Sequence, residues 1–212
     1  MEFVFRSKKD NLRRVYSPSY VIEQIISIIR CRLFVNRHML LLNYPSIIKG
    51  KKYIDFGNKL SAGYFCRFEV APMDDDPRKR LIFGDNIQIN DFVHISAIDH
   101  VEIGDGCLLA SHIYISDNSH GYYNGSERDS SPFVKPDERE YHTSPVKIGK
   151  NVWIGEGVMI MPGVTIGDGC VIGAHSLVNK DIPSNTIAVG TPARIVKEYS
   201  ETDRRWIKKN IS

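Results

Sequence analysis

The chain has 212 residues, is 42% hydrophobic and carries 28 Lys and Arg against 25 Asp and Glu. This length and composition allow one domain with a large buried core and appended ends, which excludes a chain too polar to fold. The formal net charge of +3 does not indicate a nucleic-acid partner.

The first segment, residues 1–46, is basic and is predicted to contain one amphipathic helix. Residues 1–14 lack the apolar run of a secretory signal. Ser17-Pro18 is a helix start signal, and charges such as Glu23 and Arg30 interrupt the apolar runs between residues 20 and 44. Such a stretch is too charged to cross a membrane, so we expect a helix that lies across the start of the following domain.

Positive charge is concentrated in the first part of the chain. Residues 1–80 hold 16 Lys and Arg against 8 Asp and Glu, a net charge of +8, whereas residues 81–212 hold 12 against 17, a net charge of −5. A basic front end of this kind can bind an anionic membrane surface or an anionic glycan. A solvated basic surface without a partner explains the same charges equally well.

From about residue 47 the chain contains blocks of six residues that open with an apolar residue. Faint blocks at 54–65 are followed by clearer ones between 83 and 114, such as INDFVH and IGDGCL. A period of six is typical of the hexapeptide class of parallel β-helix, in which three blocks make one triangular coil. The aliphatic first residue of a block, and the small residue four places later, are expected to point into the core.

The repeat breaks at residues 117–145, a polar insertion of 29 residues. Long loops without secondary structure of their own are usually functional or disordered in compact domains. This one carries His120 and His142, a cluster of aromatic residues and an acidic run. We therefore expect the chemistry of the protein to involve the insertion.

The repeat resumes over residues 148–183 as six unbroken blocks, IGKNVW, IGEGVM, IMPGVT, IGDGCV, IGAHSL and VNKDIP. Gly, Asn and Asp within the blocks tolerate the positive φ that frequent corners demand. We predict an all-β fold, with a β-helix domain over residues 47–198 that carries the insertion and a basic C-terminal tail over residues 199–212.

Cysteine and histidine patterns do not indicate a metal site. The four cysteines show no CxxC or CxxH spacing, and Cys107 and Cys170 occupy inward positions of their blocks. They are expected to be core thiols in a reducing cytoplasm. The histidines of the repeat occupy different block positions, so a convergent set of three ligands is not evident and no metal is expected.

Three stretches make the chain resemble the hexapeptide-repeat acyltransferases. They are IGDGCLLASHIYISDNSHG (103–121), VKIGKNVWIGEGVMIMPGVTIGDGCVIGAHSLVNKDIP (146–183) and IAVGTPARIVKEY (187–199), and the resemblance covers a little over half the chain. It is to the galactoside, maltose and xenobiotic O-acetyltransferases and, more closely, to bacterial capsule and lipopolysaccharide O-acetyltransferases. The resemblance implies a left-handed β-helix, assembled as a homotrimer, with acetyl-coenzyme A (acetyl-CoA) in the groove between subunits.

The same resemblance implies that His120, 17 residues after Ile103, is the catalytic base. A sugar hydroxyl needs an imidazole of near-neutral pKa to take its proton while it attacks a thioester. Glu140 falls where galactoside-type members place the Glu that contacts this histidine. Glu138, Asp117 and a backbone carbonyl are alternatives for that contact.

Acceptor contacts are assigned in the same way. Asn90 matches an acceptor-binding Asn of the galactoside enzymes, although a plain corner residue explains it equally well. Trp153 is expected to wall the pantetheine or acceptor channel, with a core-lining role as the alternative. The acidic acceptor contact of the galactoside enzymes aligns with Ile98, and Asp99 is shifted by one, which argues against a simple galactoside acceptor.

Six residues are assigned to the coenzyme by resemblance. Backbone contacts fall on Glu156 and Ala174, further contacts on Asn179 and Lys180, and phosphate contacts on Arg194 and Lys197. Lysine and arginine supply the cations that phosphates require. Taken singly, either lysine is also consistent with an ordinary solvated side chain.

The resemblance therefore predicts an acetyl-CoA-dependent O-acetyltransferase that acts on a sugar hydroxyl of a bacterial surface polysaccharide or its precursor. Transfer is expected to be direct, in the cytoplasm or at the inner membrane surface. Three alternatives stay open: an N-acetyltransferase of an amino sugar nucleotide, a xenobiotic acetyltransferase, and an inactive β-helical scaffold.

Overall fold

The computed structural model describes residues 16–209, in which short strands wind into a parallel β-helix preceded by one α-helix, α1 (Pro18–Arg30). The strands in chain order are β1 (Leu41–Leu42), β2 (Ile47–Lys49), β3 (Ile54–Asp55), β4 (Ser61–Ala62), β5 (Arg67–Val70), β6 (Leu81–Phe83), β7 (Gln88–Ile89), β8 (His94–Ala97), β9 (Val101–Ile103), β10 (Leu108–Leu109), β11 (Tyr114–Ser116), β12 (Asn118–His120), β13 (Tyr141–Thr143), β14 (Val146–Ile148), β15 (Trp153–Ile154), β16 (Met159–Ile160), β17 (Thr165–Ile166), β18 (Val171–Ile172), β19 (Leu177–Val178), β20 (Thr186–Val189), β21 (Arg194–Ser200) and β22 (Arg205–Lys208).

Three sheets form the faces of the β-helix. Face 1 contains β1, β4, β7, β10, β15, β18 and β20, face 2 contains β2, β5, β8, β11, β16 and β19, and face 3 contains β3, β6, β9, β14 and β17. The chain visits faces 1, 2 and 3 in turn, and each coil pairs in register with the next, as Leu109 does with Ile154. Side chains at equivalent positions of successive coils therefore form columns.

Two edges of this prism join face 2 to its neighbours. We call the edge that joins face 1 to face 2 the front edge, residues 43–46, 63–66, 90–93, 110–113, 155–158 and 173–176. We call the edge that joins face 2 to face 3 the loop edge, residues 50–53, 71–80, 98–100, 117–145, 161–164 and 179–181. The insertion leaves the prism at the loop edge.

The core is built from the inward positions that the six-residue blocks predict. Val152, Val158, Val164, Cys170 and Ser176 are each no more than 2% exposed, which confirms the predicted inward register. All four cysteines are free and buried. Burial raises the pKa of the Cys31, Cys66 and Cys107 thiols to about 11, so these side chains behave as small apolar groups.

The corners partly depart from the expectation that Gly, Asn and Asp supply the positive φ. Asn86 and Asn151 do so, but on the front edge Phe65, Phe92 and His112 also have φ between 56° and 59°. A left-handed conformation costs such residues roughly 1–2 kcal/mol. Their rings stack in one column, with centroids 4.9 and 4.8 Å apart. Stacking of this kind stabilises each pair by roughly 0.5–1.5 kcal/mol and so offsets part of the backbone cost.

Ordered strands extend beyond both predicted limits of the domain. β1 pairs with β4, so the first coil includes Leu41–Leu42. At the other end the direction reverses, because β21 pairs antiparallel with β20 and β22 pairs antiparallel with β21. Arg205–Lys208, expected in a tail, thus forms the last strand of the sheet that contains face 1.

The predicted helix is present and lies across the first coils, as expected. The Ser17 hydroxyl caps α1 by accepting from the Tyr20 amide, and the Gln24 side-chain amide donates to the Tyr64 hydroxyl at 3.1 Å. Its most buried residues, however, are the polar Gln24 and Ser27, 4% and 6% exposed, and four of its five isoleucines are exposed, whereas Ile28 is half-buried. Across residues 16–209, no helix combines the length and the apolar character needed to span a bilayer.

Candidate active site

The insertion is attached to the β-helix through Asp117, whose side chain is fully buried. Its carboxylate accepts hydrogen bonds from three consecutive amides, those of Ile98 at 2.9 Å and of Asp99 and His100 at 2.7 Å each. Consecutive amides that converge in this way form an anion-binding nest. The Ser144 amide donates to the Asp117 carbonyl at 2.8 Å, so both ends of the insertion are held at one point of the loop edge.

A second polar cluster surrounds this anchor. Arg80 is 2% exposed, forms an ion pair with Asp74 and lies 3.6 Å from the Asp99 carboxylate. Arg78 also pairs with Asp99. The Asp99 carboxylate is therefore paired with two guanidinium groups. Ile98, the residue that aligns with the acidic acceptor contact, is 8% exposed.

The insertion has secondary structure that its polar sequence does not indicate. β12 and β13 pair antiparallel as a hairpin, in which His120 lies opposite Tyr141. The His120 ring is exposed, and its centroid lies 4.5 Å from that of Tyr141. The His120 carbonyl accepts from the Tyr123 hydroxyl. The hairpin therefore presents an accessible imidazole on a defined backbone.

None of the three carboxylates considered as partners of His120 hydrogen-bonds its imidazole within the described residues. The Glu140 carbonyl accepts from the Gly121 amide at 2.8 Å, next to His120, but the Glu140 carboxylate is exposed and lies 3.6 Å from Arg128. The Asp117 carboxylate is buried in its nest, and Glu138 pairs with Lys135 at 3.1 Å. Contact between Glu140 and the base stays a prediction.

Asn90, Glu156 and Ala174 lie on the front edge, on successive or nearby coils. The Gly157 amide donates to the Ser111 carbonyl at 3.0 Å, and the His175 amide donates to the Glu156 carbonyl at 2.7 Å. Ser111, Glu156 and Ala174 therefore form one column, and Asn90 lies on the same edge one coil before Ser111. A β-carbon added to Gly155 would come within 2.7 Å of the Ala174 amide nitrogen, so glycine is required there for the coils to stack.

Asn90 also lines a polar groove of about 310 Å³ between α1 and the front edge. The groove is lined in addition by Tyr20, Gln24, Tyr64, Asp91 and Ser111. Hydroxyl, amide and carboxylate groups of this kind are suited to hydrogen bonding with a polyhydroxylated ligand. Asn90 can therefore be a corner residue of its block and also contact a ligand, because the corner lines the groove.

Sequence reasoning considered His112 solely as a metal ligand and missed that it lies beside Glu156, one of the residues predicted to bind the coenzyme. Its Nε2 atom lies 4.0 Å from the Glu156 carboxylate, which accepts from the Ser111 amide at 3.2 Å. The block register could have identified it, since His112 directly precedes the inward residue Ile113. Among residues 16–209, no group of three or more His, Cys, Asp or Glu side chains is arranged to hold a metal ion.

Trp153 and Lys197 lie on the outward surface of face 1. The Trp153 side chain is 53% exposed, so the core-lining alternative is wrong. Strand pairing continues the Trp153 row through Val171 and Ile187 to Lys197. A tryptophan and a lysine therefore belong to one outward row, in which Trp153 is exposed and Lys197 is half-buried.

Arg194 begins β21 at the end of the front edge. The preceding Ala193 amide donates to the Leu177 carbonyl at 2.8 Å, and the Thr191 hydroxyl donates to the His175 carbonyl at 3.1 Å. These bonds place Arg194 close to the coil that carries Ala174. Asn179 and Lys180, by contrast, follow β19 on the loop edge, and both are exposed.

The predicted site residues are therefore divided between two edges of one chain. Asn90, Glu156 and Ala174 belong to the front edge and Arg194 lies next to its end, whereas His120, Glu140, Asn179 and Lys180 belong to the loop edge. Face 2 separates the two edges. One six-residue block in an extended conformation is about 20 Å long. The side-chain contacts of His120 and Glu140 are with residues of the insertion.

Comparison with known proteins gives consistent likenesses. A family model described as bacterial transferase hexapeptide (six repeats) matches residues 145–180. The chain is 37% identical over 197 residues, 93% of this chain and 97% of the relative, to an Escherichia coli K12 protein named for O-acetyl transfer in lipopolysaccharide biosynthesis.

Two solved structures are similar as well. One is a galactoside acetyltransferase in complex with coenzyme A, with a TM-score of 0.50 and 30% identity, covering 80% of this chain and 66% of that chain. The other is a hexapeptide-repeat acetyltransferase of Vibrio cholerae complexed with acetyl-coenzyme A, with a TM-score of 0.51 and 27% identity, covering 76% and 68%. These likenesses confirm the predicted fold class, an all-β left-handed parallel β-helix.

We expect Asp117→Asn to release the insertion from the coil. The asparagine NH₂ group would face backbone amides that need an acceptor, so the free energy of unfolding should fall by about 2–4 kcal/mol. Amide hydrogen exchange in residues 118–143 should accelerate at least about tenfold, as measured by mass spectrometry. Asp137→Asn, at an exposed position of the same insertion, is the matched control, and equal exchange in the two variants would contradict the anchoring role.

Proposed function

Because this chain belongs to the hexapeptide-repeat acetyltransferases, which are acyltransferases that use acetyl-CoA, we propose that it acetylates a hydroxyl of a bacterial surface polysaccharide or its precursor. The observation that carries the proposal is His120, an exposed imidazole on a hairpin held by the buried Asp117 carboxylate. The match over nearly the full chain to a protein named for O-acetyl transfer in lipopolysaccharide biosynthesis supports the acceptor class.

In the proposed reaction His120 removes the proton from the acceptor hydroxyl as its oxygen attacks the thioester carbon of acetyl-CoA. A backbone amide in the proposed groove between subunits, where acetyl-CoA binds, stabilises the oxyanion that forms on the thioester carbonyl oxygen. The carbon–sulfur bond then breaks, the acetyl group stays on the sugar oxygen, and the coenzyme leaves as a thiol with the proton that His120 returns. Tyr141, packed on the imidazole, holds the ring in place.

The burial of the cysteines supports direct transfer. A nucleophilic cysteine needs a thiolate that the substrate can reach. All four thiols are buried, and burial raises the pKa of Cys31, Cys66 and Cys107 to about 11. A covalent acetyl-cysteine intermediate is therefore disfavoured, and the proposed mechanism has both substrates bound together.

The coenzyme is proposed to lie along the front edge. Glu156 and Ala174 offer backbone groups on consecutive coils, and the small side chain of Ala174 lets a ligand approach the backbone closely. Arg194, at the end of the same edge, and Lys197, in the row of Trp153, supply cations for the phosphates. Asn90, further along the edge in its polar groove, is proposed to contact the acceptor.

The division of the site between two edges supports a homotrimer. In a closed threefold assembly the loop edge of one copy can face the front edge of the next. His120, Asn179 and Lys180 of one chain would then join Glu156, Ala174 and Arg194 of its neighbour. The proposed active site is thus complete only between subunits, three times in each assembly.

The catalytic role of His120 is tested by His120→Ala. Loss of a general base typically lowers turnover by about a hundredfold or more, so release of free coenzyme A from acetyl-CoA should fall by that factor with sialylated, galactosyl and other polysaccharide acceptors. His38→Ala, an exposed histidine outside the site, should retain activity. Near-normal turnover in His120→Ala would rule out the proposed base, and transfer to amino-sugar acceptors alone would favour an N-acetyltransferase.

Replacing Arg194 tests the placement of the coenzyme. A cation that faces a phosphate contributes about 1.5–3 kcal/mol, so Arg194→Ala should raise the KM for acetyl-CoA roughly ten- to a hundredfold. The KM for the acceptor should change much less, and added salt should weaken wild-type binding of acetyl-CoA. Arg205→Ala, an exposed arginine of β22, is the control. Loss of acceptor binding alone would assign Arg194 to the glycan site.

A site shared between subunits predicts complementation. His120→Ala lacks the base, and Ala174→Trp fills the front edge with an indole at an exposed position, so each variant alone should be inactive. In mixed trimers refolded from equal amounts, about one quarter of the sites should combine an intact loop edge with an intact front edge. Coenzyme A release measures the recovery. Mixed assemblies without activity would show that each site lies within one chain.

A further inference from the structure

The outward surface of α1 and of the π-helical turn that follows it, Cys31–Val35, carries an apolar stripe, which we define as Ile22, Ile25, Ile26, Ile29 and Leu33. Their spacing of i, i+3, i+4, i+7 and i+11 places them on one side of the helix. The stripe is 44–71% exposed, and Phe34, in the π-helical turn that continues the helix, is 73% exposed. In a water-soluble domain such a stripe normally faces the core, so its outward position needs a partner that covers it.

The helix is fixed in this orientation by contacts on its other side. The Tyr64 hydroxyl accepts from the Gln24 amide and donates to the Glu23 carboxylate, each at 3.1 Å. Cys31, 1% exposed, packs at the end of the core with its sulfur 3.8 Å from that of Met39. Rotating the stripe inward would break these contacts and would bury charged or polar groups without partners.

Positive charge accompanies the stripe. Arg30 and Arg32 are exposed in the same helical segment, Arg37 is exposed just after it, and the Arg30 guanidinium lies 4.0 Å from the centre of the Tyr44 ring. Within Pro18–Arg30 the one acidic residue is Glu23, which is turned towards Tyr64. Tyr44 is 57% exposed. An apolar surface bordered by arginine and tyrosine matches the chemistry of a bilayer interface, where acyl chains lie beneath anionic headgroups.

We propose that α1 is a docking helix for an anionic lipid bilayer. The stripe and Phe34 lie among the acyl chains, and Arg30, Arg32 and Arg37 pair with lipid phosphates. The charge pattern favours lipid over a two-fold contact of this face with itself, because such a contact would bring the arginines of two copies together. The proposal does not depend on the acetyl-transfer chemistry.

The experiment is vesicle flotation of the full chain. The wild type should float with vesicles of equal parts phosphatidylcholine and phosphatidylglycerol, more weakly as salt increases, and should float far less with phosphatidylcholine alone. Ile26→Glu with Ile29→Glu should weaken binding to the mixed vesicles at least about a hundredfold. Arg32→Gln with Arg37→Gln should weaken it about tenfold or more and should reduce its salt dependence.

Met73→Glu is the control, since it places one carboxylate on an apolar side chain that is 65% exposed but lies outside α1, and it should bind like the wild type. All variants should release coenzyme A normally with a water-soluble acceptor, which separates docking from catalysis. Two outcomes would overturn the proposal. One is a wild type that does not float; the other is an Ile26→Glu, Ile29→Glu variant that floats normally. A changed sedimentation coefficient of this variant without lipid, together with no flotation of the wild type, would assign the stripe to contacts between copies.

Discussion

Hydrogen bonds between successive coils determine where the candidate coenzyme-binding side chains of the β-helix lie. The amide of a residue in one coil donates to the carbonyl of the residue just before its counterpart in the neighbouring coil, as His175, the counterpart of Gly157, does to Glu156. Because this register is repeated on all three faces, residues far apart in sequence line up along an edge. A shift of one residue would exchange inward and outward side chains, so the core and the candidate coenzyme groove are maintained by the same bonds.

The insertion is held in place differently, because the repeat does not stabilise this segment, which carries a candidate catalytic group. The nest around Asp117 replaces the missing coil contacts by charge-assisted hydrogen bonds to three amides. Arg80, buried against Asp99, stiffens the corner that supplies those amides. A regular scaffold and one buried carboxylate together position an exposed imidazole, and the remainder of the insertion is free to differ in length.

Most of the coil was predictable from sequence because its signal is periodic. Val152, Cys170 and the other inward residues follow directly from the block register. The orientation of α1 was not predictable in the same way, since helical periodicity identifies an apolar side without saying what it faces. The hairpin of His120 was missed because strand pairing within a polar insertion depends on contacts distant in sequence. The nest of Asp117 was missed because it is formed by backbone amides, which leave no pattern of side chains.

The antiparallel hairpin at the end of face 1 also affects how the molecule behaves towards other molecules like it. A stack of parallel coils has an open last strand, whose free amides and carbonyls are a template for further chains. Here the direction of the chain reverses, and the outermost strand, Arg205–Lys208, is short and exposed and carries Arg205 and Lys208. Charge and brevity are the features that discourage edge-to-edge addition of strands. The end of the coil therefore works as a stop against fibrous growth, which a repeat with this regularity would otherwise invite.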